Sequence, residues 1–185
     1  MSLGKKPRFL HHGSPNGEIK EFEPRTDTGS GKQFGPLVYA SHDLATATIF
    51  MFRFKGTMST GRFYRIPYTI ITQNRESFIA NDKGGFIYYL PSDTFSSDPK
   101  RGLGQYEWAS SVPVRPIKKE FYPCALDTML ANGVQVYFVD DATYAAIKNS
   151  SDHGLSILQK LESENQRRGI NVRELKKPES WQKNK

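Results

Sequence analysis

Cysteine is almost missing from this chain: Cys124 stands alone among 185 residues. An internal disulfide and a cysteine-rich metal framework are therefore excluded. Long apolar runs are missing too, because no stretch reaches the ~20 residues of a membrane-spanning helix. The first residues, Met1-Ser2-Leu3-Gly4-Lys5-Lys6-Pro7, carry no apolar segment of the signal-peptide kind. The expectation is a cytoplasmic protein without a membrane role. Neither the phosphate-cradling GxxxxGK[ST] pattern nor GxGxxG after a strand occurs, and Gly29-Ser30-Gly31 has the remainder of neither. HExxH and HxxxH are absent as well. His11 and His12 are adjacent, so on a strand they point to opposite faces and do not easily share one ion. His42 and His153 have no obvious ligand partners, and no metal is expected.

Aromatics, by contrast, are abundant: twelve Phe, nine Tyr and two Trp. Disordered chains avoid such residues, so the chain is expected to fold. Its length suits one domain, over residues 1–172, followed by a basic tail at 173–185. Net charge is +7, from 26 basic and 19 acidic residues, which favours an anionic partner. Part of that excess is local to the tail, which is read either as a solvated end or as a nucleic-acid contact. Cys124 follows Pro123 at the start of an amphipathic segment. It is read as a small buried hydrophobe, or else as a thiol activated by a helix N-terminus.

Apolar runs bounded by turn residues predict strands at 8–12, 37–40, 63–66, 68–72, 86–90 and 134–139. Gln105 to Ser110 opens a further strand after a polar loop. Helices are predicted at 43–51, with Ser41 as N-cap, and at 124–131, stopped by Asn132-Gly133. A short helix runs from the Asp140-Asp141 cap through Ile147, and a longer one runs from about 152 to 168. Short strands with few helices and no βαβ alternation give an α+β fold with mostly antiparallel or split sheets.

Three short strings carry the chemistry. Leu10-His11-His12-Gly13-Ser14 ends an apolar run in a histidine and a Gly-Ser turn. Gly35-Pro36-Leu37-Val38-Tyr39-Ala40-Ser41 is a second strand, ending in a tyrosine ahead of a helix. Gln105-Tyr106-Glu107 follows a polar loop. In this order the strings resemble the motifs of the ADP-ribosyltransferase superfamily. The first two are similar to its poly-ADP-ribose-polymerase and diphtheria-toxin branch, and the third to its Gln-x-Glu form. The resemblance covers about residues 8 to 110 and implies split mixed or antiparallel sheets with short flanking helices, with residues 134–139 closing the sheet.

That resemblance implies chemistry on NAD. His12 would hydrogen-bond the adenosine-side ribose, the Gly13 backbone would hold the nicotinamide amide, and Tyr39 would stack on the cationic nicotinamide ring. Ser14 and Ser41 belong to the same binding motifs. Glu107 would stabilise the oxocarbenium-like sugar cation as nicotinamide leaves, and Gln105 would help select a macromolecular acceptor, protein or nucleic acid. A fixed carboxylate suits that charge on physical grounds alone. The implied protein is a toxin-like bacterial or phage transferase.

The chain departs from the pattern in combining motifs of two branches, and it lacks the Ser-Thr-Ser element that normally accompanies Gln-x-Glu. Glu76 and Glu120 are rival carboxylates. A degenerate module that binds NAD, ADP-ribose or a nucleic-acid end is the alternative within the fold. An RNA 2′-phosphotransferase is a further possibility there, and a purely structural protein stands outside it.

Overall fold

The computed structural model describes residues 6–26, 35–53, 55–63, 65–97, 106–152 and 154–167. Gln105 and the tail at 173–185 lie outside the described residues. The chain divides into two compact units, each made of two segments: Met1–Phe52 with Gly84–Pro123, and Arg53–Lys83 with Cys124–Lys185.

The first unit is built on five strands, β1 (Phe9–Ser14), β2 (Val38–Ser41), β5 (Gly85–Pro91), β6 (Glu107–Ser110) and β7 (Lys118–Tyr122), in the order β6-β2-β1-β5-β7. Every neighbouring pair is antiparallel. Strand β1 runs past the predicted end at His12, because Gly13 and Ser14 still pair with Ile87 and Phe86. Strand β2 likewise extends to Ser41, which pairs with both His11 and Glu107. Ser41 is therefore not the cap of the following helix α1 (Leu44–Thr48). Asp43 takes that role, accepting from the Thr46 N–H. One sheet face is a core of Leu10, Val38, Ala40, Tyr88 and Leu90, covered by Phe22, Phe95 and Val114 from the connecting segments.

The second unit has three strands, β3 (Met58–Phe63), β4 (Ile66–Ile71) and β8 (Gln135–Phe138), in the order β3-β4-β8. Here β3 and β4 form an antiparallel pair, while β8 runs parallel to β4. The predicted closing strand thus belongs to this separate sheet. Helices α2 (Arg75–Asn81), α3 (Ala125–Ala131), α4 (Asp141–Asn149) and α5 (Leu155–Arg167) complete the unit. Its core joins Tyr68, Ile70 and Tyr137 to Ile147 of α4 and Leu158 of α5. Helix α3 ends as predicted, at Asn132 with Gly133 at φ 85°. The expected α+β class, with mixed and antiparallel sheets and short helices, describes both units.

Candidate functional site

Strand register decides which of the predicted residues meet. In an antiparallel ladder, opposed residues project to one face and sequence neighbours to opposite faces. Ser41 stands opposite both Glu107 and His11, His11 opposite Tyr89, and Tyr89 opposite Lys118. One row therefore crosses all five strands: Glu107, Ser41, His11, Tyr89, Lys118. Tyr39, two residues from Ser41, shares this face, and so does Glu120, two residues from Lys118.

His12 does not. It projects to the opposite face, where its ring lies 4.5 Å from that of Phe22. Its Nδ1–H donates to the Tyr39 carbonyl at 2.7 Å, and a carbonyl only accepts, which fixes the tautomer. Burial lowers the His12 pKa, against the opposing pull of that carbonyl. His12 therefore ties β1 to β2 through the backbone of Tyr39. The trio His12, Tyr39 and Glu107 is not brought to one face; Tyr39 and Glu107 are, and the histidine beside them is His11.

The remaining predicted residues hold local structure. Ser14 faces the His12 side, is buried, and accepts from the Asn16 N–H at 3.1 Å, closing the turn after β1. Gly13 is on the His11 side, but a Cβ there would sit 2.0 Å from the Ala47 carbonyl oxygen. Helix α1, not open space for a ligand, lies against it. The Ser41 hydroxyl donates to the Tyr106 carbonyl at 2.7 Å and accepts from the Asp43 N–H at 3.0 Å. Glu107 is exposed at the end of the row. Its neighbour Trp108 packs on the opposite face, against the core. Glu76 belongs to the second unit, in the first turn of α2, where its charge suits the helix N-terminus.

Glu120 has a different environment. Its Oε2 accepts from the Tyr89 hydroxyl at 2.7 Å and from the Tyr122 hydroxyl at 3.1 Å. Its Oε1 meets the Lys118 ammonium at 2.5 Å. The Lys118 and Tyr89 bonds hold its pKa down at about 2. Burial, with the Glu120 hydrogen bond and charge behind it, pushes the Tyr89 phenol up. Lys118 also lies 5.0 Å from the Tyr89 ring centroid. The Tyr89 ring meets His11 edge-on at 5.1 Å, and Phe9 at 5.5 Å. Burial lowers the His11 pKa, so this imidazole is neutral at pH 7. Two buried polar atoms of this face, His11 Nδ1 and Tyr39 Oη, have no hydrogen-bond partner among the described residues.

The face thus combines aromatic rings, a neutral imidazole and a carboxylate held in its charged form. Sequence reasoning missed His11, Tyr89, Lys118 and Tyr122 as members of one site. The signal was the period of two: Lys118, Glu120 and Tyr122 alternate along β7. Among the described residues no group of three or more His, Cys, Asp or Glu side chains is placed to hold a metal ion. Among them, too, no helix is long and apolar enough to cross a membrane. Comparison with family models, with curated proteins and with solved structures finds no match to the chain.

Proposed function

We propose that the His11 face of the five-stranded sheet binds NAD, and that the protein is an ADP-ribosyltransferase-like enzyme acting on a macromolecular acceptor. The observation that carries this reading is Glu120, a carboxylate oriented by two phenols and one ammonium beside an aromatic row. Of the ordered sequence motifs, Tyr39, Ser41 and Glu107 lie on this face and support it, whereas His12 does not.

The chemistry follows from the charges. The glycosidic bond from C1′ to the nicotinamide nitrogen breaks, its electron pair leaves with nicotinamide, and positive charge builds on the ribose. A carboxylate fixed in advance stabilises that charge with little reorganisation. The cationic nicotinamide ring finds an aromatic face at the exposed Phe9. An acceptor nucleophile then bonds to C1′ and releases a proton, and the neutral His11 imidazole is the base at hand. Glu107, on the same face, is the second carboxylate. His12 and Ser41 act as positioning residues for Tyr39 and for the start of α1.

The test is nicotinamide release from NAD, with wild type compared against Glu120→Gln and Glu107→Gln. Wild type is expected to release nicotinamide, and Glu120→Gln to lose at least about 100-fold, the scale of one electrostatic stabiliser. Release unchanged in both variants overturns the reading.

One observation favours a second reading, a binding module of the same fold. The Lys118 ammonium at 2.5 Å already neutralises Glu120, which weakens its pull on a sugar cation. Calorimetry separates the two, since NAD binding without nicotinamide release supports the module.

A further inference from the structure

The sheet face opposite His11 carries a second feature, at its β7 edge. A cavity of about 230 Å³ is lined by Gly17, Glu18, Lys20, Tyr88 and Lys119, among others. Its wall is built rather than incidental. The buried Tyr88 hydroxyl donates to the Asn16 carbonyl at 2.8 Å and accepts from the Ile19 N–H at 3.3 Å, pinning the segment that bears Glu18. Gly17 packs under the tip of the Phe86 ring, which a Cβ there would approach to 2.4 Å. Lys119 donates to the Gly17 carbonyl, and its ammonium lies 5.6 Å from the Phe86 ring centroid.

Charge is unbalanced here. Lys118 also lines the cavity, but its ammonium is committed to Glu120. Among the described residues, no carboxylate pairs with Lys20 or Lys119, so two cations face the single charge of Glu18. Beside the cavity stands Phe121, directly opposite Phe86 across the strands, with the rings 5.0 Å apart. Phe121 is 55% exposed, so one face of its ring is open to a ligand.

We propose that this corner binds single-stranded nucleic acid. Adjacent backbone phosphates of the strand meet Lys20 and Lys119 at the cavity, and a neighbouring base stacks on Phe121. Paired cations beside an exposed ring are what an unpaired strand needs, whereas a duplex keeps its base faces hidden. The chain's +7 charge steers such a ligand towards the protein. The proposal does not depend on NAD, because the two sites occupy opposite faces of the sheet.

The test is fluorescence anisotropy of a labelled oligothymidine with the full chain, without NAD, across a salt series. Lys20→Ala combined with Lys119→Ala is expected to weaken binding at least tenfold. It should also flatten the slope of log K against log salt by about 1.4, two single-strand phosphate contacts. Phe121→Ala should weaken binding about fivefold or more while leaving that slope unchanged. Glu18→Gln should tighten it. Lys20→Ala alone, at an exposed side chain, guards against a folding artefact and should reproduce half of the slope change. Unchanged affinity in the double lysine variant or in Phe121→Ala overturns the proposal. So does a loss confined to anionic phosphatidylserine vesicles, which would assign the corner to lipid.

Discussion

A methyl group at position 13 would come within 2.0 Å of the Ala47 carbonyl oxygen, and the α1 backbone cannot yield as a flexible side chain would. Gly13→Ala is therefore expected to cost about 3 kcal/mol, the upper range for overpacking, by urea denaturation. A neutral result would mean that α1 does not seat on β1. Glu120 gives a prediction of a different kind. Its folded pKa of about 2 lies below the ordinary 4.5, so its contribution is complete above about pH 4.5 and fades as pH falls towards 2. The carboxylate is 33% exposed, so solvent screening keeps that contribution to about 1 kcal/mol or less. The stability gap between wild type and Glu120→Gln should be visible at pH 7, shrink below about pH 4.5 and close as pH falls through 2. A gap constant over that range would contradict the hydrogen-bonded arrangement.

Elements differ in how plainly they announce themselves. Helix α3 was legible because Asn132-Gly133 stops it and apolar positions give its face. Helix α2 was not read, although Asn74 caps it and accepts from the Ser77 N–H, because only Phe78 of its seven residues is buried. Strand β7 was missed for a related reason: Lys118, Lys119 and Phe121 are exposed on an edge strand, so no hydrophobic alternation marks it. The thiol of Cys124 was open between inert and activated, and the structure decides against activation. Burial, reinforced by the neighbouring Asp82 carboxylate, pushes it up to about 11. Asp82 accepts from the Ala125 and Leu126 N–H groups at 3.0 Å, capping α3 from outside the helix. Asp82→Ala should cost about 1 to 2 kcal/mol in thermal denaturation and speed iodoacetamide labelling of Cys124 at pH 8. Unaltered stability would show that the cap contributes nothing.

At the scale of the whole molecule, the α+β class and most strands could be read from turn residues and apolar runs. The partition into two units could not, because each unit joins segments distant in sequence: β1 pairs with β5, and β4 with β8. The site was half legible for the same reason. Tyr39 and Glu107 were found and do share a face, yet choosing between His11 and His12 needs the register, which one strand alone does not contain. The opening motif is therefore sound as a strand end, and the proposed NAD reading shifts its histidine by one residue, to His11, which shares a face with Tyr39 and Glu107. That shift is the central claim, and side-chain NMR of the histidines during NAD titration tests it most directly. The His11 imidazole should shift progressively and saturate while His12 stays within its free-state position. Saturating movement of His12 with a still His11, or no movement of either, would contradict the account.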